Sequence, residues 1–312
     1  MFLRPTTLRE ATQALAEGGQ VLAGGTDFFP ALGSRTVSGA VIDVSRVGEL
    51  RGIEFSPDEV RIGGATTWSE IAAASLPRCF DALRAAAREV GAVQVQNRGT
   101  IAGNLCNASP AADSVPPLLI LDAEVELTSC SGVRRLLLRD FIVGNRKTRR
   151  RSDEILSSVI VPLGLQDVPS VFLKLGARRY LVISITMLAA LLSREGDGRV
   201  GVARIAVGSC SATAQRLLEL ERDLAGQPVR RELSSLVRAS HIAPLSPIDD
   251  VRAPAAYRRD ARVGPTQSRT RALAPRLGPG RAARWPHQRV PGLSYRTAPA
   301  VPLLLCPPYR EG

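Results

Sequence analysis

Two glycine-containing segments hold the residue types best suited to binding a phosphorylated ligand. The first, residues 21–27, reads VLAGGTD and runs from a short apolar strand into a turn. Gly24 and Gly25 allow a left-handed backbone and a close approach of the main chain, so that consecutive N–H groups can converge on an anion such as a diphosphate. Thr26 adds a hydroxyl donor, although an ordinary β-turn is the competing interpretation of this segment taken alone.

The second segment, residues 97–113, reads NRGTIAGNLCNASPAAD and lies between a predicted helix and an apolar run. Gly99 and Gly103 let the backbone lie against a ligand. Polar contacts are offered by Thr100, Asn104, Ser109 and Asp113. A carboxylate such as that of Asp113 suits the hydroxyl groups of a ribose or ribityl chain. A polar surface loop is the alternative, but loops of this length in compact domains are usually functional.

The first segment matches neither the GxGxxG pattern of Rossmann domains nor the GxxxxGK[ST] pattern of Walker loops. The five cysteines are scattered, and no two of them have CxxC spacing. The absence of such spacing argues against an iron–sulfur cluster, a zinc site or a disulfide framework within the chain, and it fits a reducing cytoplasm.

The longest uncharged apolar stretch, residues 180–193, has only fourteen residues. A membrane-spanning helix needs about 20, so we expect buried structure there and no transmembrane segment.

The net charge of +12 is concentrated at the end of the chain, where residues 261–312 contain nine Arg, nine Pro and a single acid. Among the 41 basic residues of the chain only Lys147 and Lys174 are lysines, a skew typical of codon bias in a GC-rich genome. Residues 261–312 are therefore predicted to be a disordered tail or the product of a reading-frame change. Nucleic-acid binding through this tail is an alternative, which the low aromatic content disfavours.

The elements that must position these segments alternate between helix and strand along residues 1–165. Predicted elements of this part are a helix over 7–17, strands over 21–23, 40–44 and 60–62, a helix starting at the Thr67–Glu70 capping box, a helix over 80–90, and strands over 124–128 and 155–162. In residues 170–260 we predict strands over 172–175 and 203–207, helices over 212–224 and 231–239, and no clear element over 183–192. The fold class is α+β.

The sequence AGGTD, followed some 75 residues later by NRGTIAGNLCNASPAADS, closely resembles the FAD-binding subunit of the molybdenum hydroxylases, the xanthine dehydrogenase and carbon monoxide dehydrogenase type. Further matching segments are GNRKT (144–148), DEIL (153–156), FLKLG (172–176) and ARIAVG (203–208). The resemblance is collinear over residues 1–260 and fades after SPIDDVR (246–252) and AYRR (256–259). Several motifs in one order are more specific than any one of them.

The resemblance implies a flavin-binding domain over residues 1–165, with two α/β subdomains of about 1–55 and 56–165. A C-terminal domain with a small antiparallel sheet and helices would follow over 170–260. The residues that would wrap the FAD diphosphate are Leu22, Ala23, Gly24, Gly25, Thr26, Asp27, Phe28 and Phe29. Thr100, Gly103 and Asn104 would form the second FAD loop. Asp113 would bind FAD hydroxyls, and Leu156 and Lys174 would lie near the cofactor. A solvated lysine is the alternative for Lys174.

The function that the resemblance implies is that of a non-covalent FAD carrier in a heteromeric enzyme. Electrons would reach this flavin from a large molybdenum-cofactor subunit through two [2Fe–2S] clusters in a small subunit, and NAD⁺, a quinone or oxygen would accept them. A dimer of heterotrimers is expected, with no catalytic side chain and no metal ligand in this chain. The alternatives are a stand-alone FAD-dependent reductase like the enolpyruvyl reductase of cell-wall synthesis, a basic binding protein, and a non-catalytic subunit.

The sequence departs from the family pattern at three places. Ala102 replaces the first glycine of the usual Thr-Ile-Gly-Gly-Asn loop, which would cost about 1 kcal/mol or more if that position required a left-handed backbone. The four clustered cysteines found in the flavin subunit of 4-hydroxybenzoyl-CoA reductase are absent, which disfavours that assignment. The final helix of the family is replaced by residues 261–312.

Overall fold

The computed structural model describes residues 1–178, 181–250 and 252–260; for residues 231, 232, 259 and 260 it describes the main chain only. The predictions made for residues 261–312 therefore lie outside the described part of the chain. Three β-sheets and a small hairpin make up the strands of the described residues. No helix among these residues has both the length and the apolar character needed to cross a membrane.

The first sheet is parallel, and the first glycine segment begins in its strand β2 and continues into the turn after it. Its strands are β1 (Phe2–Leu3), β2 (Gln20–Leu22) and β3 (Val41–Asp43), in the order β1-β3-β2. Helix α1 (Leu8–Ala16) joins β1 to β2, and its Ala11 and Leu15 pack with Ile42 in a small buried core. Helix α2 (Phe28–Leu32) follows β2 after the glycine turn. The predicted β-α-β arrangement is confirmed here.

The second sheet is antiparallel and lies beside the second glycine segment. In chain order this region contains β4 (Ile53–Phe55), β5 (Glu59–Gly63), α3 (Trp68–Ala73), α4 (Asp81–Glu89), α5 (Val93–Gln96), α6 (Ile101–Asn107), α7 (Val115–Ile120), β6 (Glu124–Ser129), β7 (Gly132–Leu137), α8 (Leu138–Phe141), β8 (Ile142–Gly144), β9 (Lys147–Thr148) and β10 (Ile155–Pro162). The sheet order is β4-β5-β10-β6-β7, and β8 and β9 form a separate hairpin. Trp68, Phe80 and Phe141 are fully buried in the core that this region forms.

The third sheet is antiparallel, with strands β11 (Ser170–Leu175), β12 (Thr186–Arg194), β13 (Val200–Gly208) and β14 (Gln215–Arg216) in chain order. Helices α9 (Leu218–Leu224), α10 (Ala239–Ile242) and α11 (Ala255–Asp260) follow it. Neighbouring residues of β12 belong to different cores: Leu188 packs with the helices that follow the sheet, whereas Ala189 packs with the core of the second sheet. The sheet is therefore covered on both faces.

Several local predictions are confirmed. The capping box of Thr67 and Glu70 begins α3, and the helices predicted over 7–17 and 80–90 are α1 and α4. The structure adds a capping box at Thr7, which begins α1. The strand predicted over 155–162 is β10. These elements contain their own start signals or a strong periodicity, so residues close in sequence determine whether they form a helix or a strand.

Two predicted helices are wrong in extent, and the ambiguous segment 183–192 is resolved. Residues 212–224 contain the short strand β14 before helix α9, because Gln215 pairs with Val207 at the edge of the sheet. Residues 231–239 form a 3₁₀ helix that ends at Leu236, where the extended Val237 interrupts it. Most of 183–192 belongs to β12, whose burial on both faces removes the alternation that normally marks a strand.

Candidate functional site

The two glycine segments lie against each other, main chain to main chain. A Cβ atom placed on Gly24 would lie 2.0 Å from the carbonyl oxygen of Arg98 and 2.9 Å from the Cα of Gly99. No side chain fits in that space, so the contact itself requires glycine at position 24. The structure thus joins the two predicted segments, which are more than 70 residues apart in the sequence.

Gly25 gives the first segment its turn. Its φ of +77° is left-handed, and a Cβ atom there would lie 2.8 Å from the ring of Phe29. The main-chain N–H groups of residues 24–27 form no hydrogen bond with another residue in the described part of the chain. We call residues 24–27 the first loop. It presents four consecutive unused amide donors, together with the hydroxyl of Thr26, and such rows of main-chain N–H groups are a common means of binding anions.

The second segment is not the polar loop that its composition allowed, because it contains helix α6. Thr100 is the N-cap of this helix, and its Oγ1 accepts a hydrogen bond of 3.1 Å from the Gly103 N–H. The N–H groups of Ile101 and Ala102 donate to the carbonyl oxygens of Thr66 and Gly64. The first amides of α6 are therefore used within the protein, and this segment offers side-chain donors instead.

Two such donors lie on the first turns of α6. The Thr100 hydroxyl accepts from Gly103 but its own hydrogen has no acceptor in the described residues. The side chain of Asn104 is oriented by the buried Ser114, whose Oγ lies 2.7 Å from Asn104 Oδ1. The amide nitrogen of Asn104 then remains available to a ligand within the described structure.

Ala102 does not carry the backbone strain that a left-handed position would impose. It lies in α6, and it is not among the described residues that have a positive φ. The methyl group faces Gly64, whose own Cβ position would be 3.1 Å from it. The cost expected for a left-handed backbone at Ala102 therefore does not arise.

Asp113, in the segment between α6 and α7, forms a buried ion pair with Lys174 on β11 of the third sheet. Its Oδ2 accepts a hydrogen bond of 2.6 Å from Lys174 Nζ, and its Oδ1 accepts one of 2.5 Å from the Ser184 hydroxyl. Lys174 also donates to the carbonyl oxygen of Glu89. Burial raises the pKa of the Asp113 carboxyl, and the ammonium of Lys174 opposes that rise. Lys174 is thus not a solvated lysine, since only 8% of its side chain is exposed.

The remaining predicted residues fall into two groups. Leu22 and Leu156 are buried, and the Leu156 carbonyl oxygen lies 2.3 Å from the Cβ position of Gly64, beneath the start of α6. Phe29 is 59% exposed on α2, and its ring is 5.4 Å from that of Phe28 in an edge-to-face arrangement. Leu156 therefore packs in the same buried core as Ile101 and Leu105 of α6.

Sequence reasoning missed Asn107, which contacts the first loop, and Arg146, which contacts Asn107. Asn107 Nδ2 donates to Asp27 Oδ1 over 3.0 Å, and Arg146 Nη1 donates to Asn107 Oδ1 over 2.8 Å. Both residues belong to segments quoted for the family resemblance, but nothing in their local pattern connects them to residue 27. A cleft of about 30 Å³ on this part of the molecule is lined by both glycine segments and by Arg51 and Thr67.

Comparison with known proteins places the chain in a family. Residues 1–164 match the family model described as the FAD binding domain in molybdopterin dehydrogenase, and residues 172–266 match the CO dehydrogenase flavoprotein C-terminal domain. The chain is 32% identical to the xanthine dehydrogenase FAD-binding subunit of Escherichia coli O157:H7 over 263 residues, which cover 82% of this chain and 90% of that protein. It is also 32% identical to caffeine dehydrogenase subunit beta of Pseudomonas sp. (strain CBB1), over 76% of this chain and 82% of that one.

Among solved structures, quinoline 2-oxidoreductase from Pseudomonas putida 86 contains a chain that superimposes with a TM-score of 0.77 at 27% sequence identity. The match covers 83% of this chain and 91% of that one. Fold and site together define a flavin-binding subunit of a larger oxidoreductase. The chain belongs to the FAD-binding subunits of the molybdopterin dehydrogenases, the molybdenum hydroxylase family, in which FAD carries the electrons.

The residues of the site fit FAD. The first loop offers four unused amides and a glycine that leaves no room for a side chain, and these are the features that a diphosphate requires. No group of three or more His, Cys, Asp or Glu side chains that could hold a metal occurs in the described residues.

Proposed function

We propose that residues 24–27 bind the diphosphate of a non-covalently held FAD through their main-chain amides. The observation that carries this proposal is the row of four N–H groups without acceptors in the described residues, next to a second segment whose amides are already used. Charged acceptors form stronger hydrogen bonds than neutral ones, so a diphosphate would bind to such a row of amides more tightly than a neutral ligand would. Thr26, Thr100 and Asn104 would supply side-chain donors to the same ligand.

The polar groups farther along the chain are assigned to the hydroxyl groups of FAD. Asp113 already accepts one hydrogen bond on each carboxylate oxygen, and each oxygen has a second lone pair for a ligand hydroxyl. The ammonium group of Lys174 offsets the charge of the buried Asp113 carboxylate and holds that carboxylate in one orientation. Leu22, Ala23, Phe28, Phe29, Gly103 and Leu156 complete the proposed site by packing. FAD, when bound, accepts electrons from one redox group and delivers them to another.

We assign the chain to a complex with a large molybdenum-cofactor subunit and a small subunit carrying two [2Fe–2S] clusters, assembled as a dimer of heterotrimers. The final acceptor would be NAD⁺, a quinone or oxygen. The subunit names of the relatives support such partners.

The proposed domains are residues 1–165, with subdomains of about 1–55 and 56–165, and residues 170–260. The four cysteines in the described part of the chain are free, which supports a reducing cytoplasmic location.

A flavin titration of the purified full-length chain tests this function. We expect the folded protein to bind FAD with a characteristic flavin absorption spectrum, and acid to release the FAD intact because no covalent bond holds it. The variant Gly24→Ala should lose FAD, since its Cβ would collide with the Arg98 carbonyl. Gly196→Ala is the matched control, because no atom lies within 4 Å of a Cβ at that position. A folded wild-type chain that binds no FAD would refute the proposal.

A further inference from the structure

Asp27 places a carboxylate on the loop that is proposed to bind a diphosphate. Like charges close together repel, so an acid at this position works against binding unless another group offsets it. The first loop has no cation of its own in sequence, because residues 24–27 read GGTD. The structure shows which groups approach the carboxylate.

A chain of two hydrogen bonds links Asp27 to an arginine. Asn107 Nδ2 donates to Asp27 Oδ1 over 3.0 Å, and Asn107 Oδ1 accepts from Arg146 Nη1 over 2.8 Å. Arginine is a donor only, so the amide oxygen of Asn107 must face Arg146 and its amide nitrogen must face Asp27. The chemistry of both neighbours therefore fixes the orientation of the Asn107 amide.

Three separate parts of the fold hold this chain in place. Asp27 ends the first loop, Asn107 is the last residue of α6, and Arg146 lies in the turn between β8 and β9. The Arg146 N–H donates to the carbonyl oxygen of Ala108, the C-cap of α6, over 2.9 Å. Arg146 has a φ of +54°, which is uncommon for a residue with a side chain. Main-chain and side-chain contacts thus anchor the arginine to the same helix end.

The guanidinium of Arg146 is not committed to another acid. It forms no ion pair with a carboxylate in the described residues, and the side chain is exposed beside α6. Its charge is therefore available to Asp27, to which the Asn107 amide links it.

We propose that Asn107 and Arg146 are positioning residues of the FAD site: they turn the Asp27 carboxylate away from the diphosphate and offset its charge. This inference rests on the proposed function, because it takes the first loop as the diphosphate site. Asp27 then contributes its main-chain N–H to the ligand while its side chain is held by α6. The link also fixes the first loop to the helix that carries Thr100 and Asn104.

A double-mutant cycle on the full-length chain tests the coupling. Arg146→Ala should weaken FAD binding about two- to five-fold at low ionic strength, the range expected for exposed charges. In an Asp27→Asn background the same change should have no effect, because the charge to be offset is gone. Asn107→Ala should weaken FAD binding like Arg146→Ala, and Arg146→Lys should restore it to within about two-fold.

Two controls separate a positioning role from general stability. Riboflavin, which has no phosphate, should bind the wild type and Arg146→Ala equally, whereas a loss of folding would weaken both ligands. Arg139→Ala removes an exposed arginine of α8 and should leave FAD affinity unchanged. The inference is overturned if Arg146→Ala lowers FAD affinity equally in the wild-type and the Asp27→Asn backgrounds, or in neither. FAD binding by the wild type would still uphold the proposed function in that case.

Discussion

Gly24 and Asp113 show two different ways in which one residue can serve the proposed flavin site. Gly24 acts through the absence of a side chain, because only then can the first loop touch Arg98 and Gly99. Asp113 acts through a charge that is compensated inside the protein by Lys174. Loss of the first is a steric effect at the loop, whereas loss of the second leaves an ammonium buried without its acid.

Replacing Asp113 tests both of its roles. Asp113→Ala removes the proposed charge-assisted hydrogen bonds to FAD hydroxyls, which would be worth about 1.5–3 kcal/mol, so FAD affinity should fall roughly ten- to a hundred-fold. The free energy of unfolding should also fall by about 3–5 kcal/mol, because Lys174 loses its partner. A flavin titration measures the first effect and urea unfolding of the FAD-free protein measures the second.

The variant Asp113→Asn provides the matched comparison, since it keeps the volume of the side chain but replaces the carboxylate with a neutral amide, in which one acceptor oxygen becomes an NH2 donor. It should lose FAD affinity as well, because a neutral amide is a weaker acceptor for hydroxyl groups than a carboxylate. An unchanged FAD affinity together with a lower stability would make Asp113 a purely structural residue, which holds the segment between α6 and α7 against the third sheet.

At the scale of elements, the second sheet is held on one face by a network of charges. Glu126 on β6 accepts hydrogen bonds from Arg61 on β5, over 2.7 and 3.1 Å, and from Arg135 on β7. Burial raises the pKa of Glu126, but the bonds from Arg61, Ser157 and Arg135 outweigh it and lower that pKa to about 2. The carboxylate thus ties three strands together in its charged form.

The network predicts how stability depends on pH. A folded pKa of about 2 against an ordinary value of 4.5 means that Glu126 stabilises the protein above pH 4.5 and that this contribution is lost as the pH falls towards 2. Glu126→Gln should therefore be less stable than the wild type at pH 7, by about 1.5–3 kcal/mol. Urea unfolding at a series of pH values should show the two proteins converging below pH 4.5.

Glu124→Gln is the control for this series, because Glu124 lies on the same strand and forms no ion pair in the described residues. Its effect on stability should be small and should not vary with pH in the same way. A constant difference between wild type and Glu126→Gln from pH 7 to pH 2 would show that the charge of Glu126 does not stabilise the sheet.

At the scale of the whole molecule, charged groups connect the third sheet to the region before it. Asp122, just before β6, forms ion pairs with Arg204 on β13 over 2.8 Å and with Arg216 on β14 over 2.6 Å. Arg216 also pairs with Glu221 on α9. Together with the ion pair of Asp113 and Lys174, these contacts fix the third sheet against the part of the chain that carries both glycine segments.

Deleting residues 261–312 tests whether the site is complete without the tail. FAD binding should be retained by residues 1–260, because every proposed site residue lies at or before Lys174. The net charge should fall from +12 to +4, and nonspecific binding to polyanions should be lost with the nine arginines. Flavin titration and salt-dependent retention on heparin measure the two outcomes.

Limited proteolysis of the full-length chain is the complementary experiment. Rapid trimming to a stable fragment that ends near residue 260 would support the prediction that the tail has no packed core. Loss of FAD from the truncated protein, while it remains folded, would show instead that the tail takes part in the site.

The sequence by itself determined the local features of this protein. The two glycine segments, the capping boxes of α1 and α3 and the periodicity of α4 depend on neighbouring residues, so they can be read from a short stretch of chain. The same motifs were specific enough to indicate the FAD-binding family. The α+β class followed from the order of these elements.

Only the tertiary structure decided which groups remain for a ligand. It showed that the amides of α6 are already bonded whereas those of the first loop are not, and that Arg146 reaches Asp27 through Asn107. It also showed that part of the segment 212–224, predicted to be a helix, forms an edge strand of the third sheet. These results depend on contacts between residues far apart in sequence, and such contacts form only when hydrophobic burial brings separate elements together.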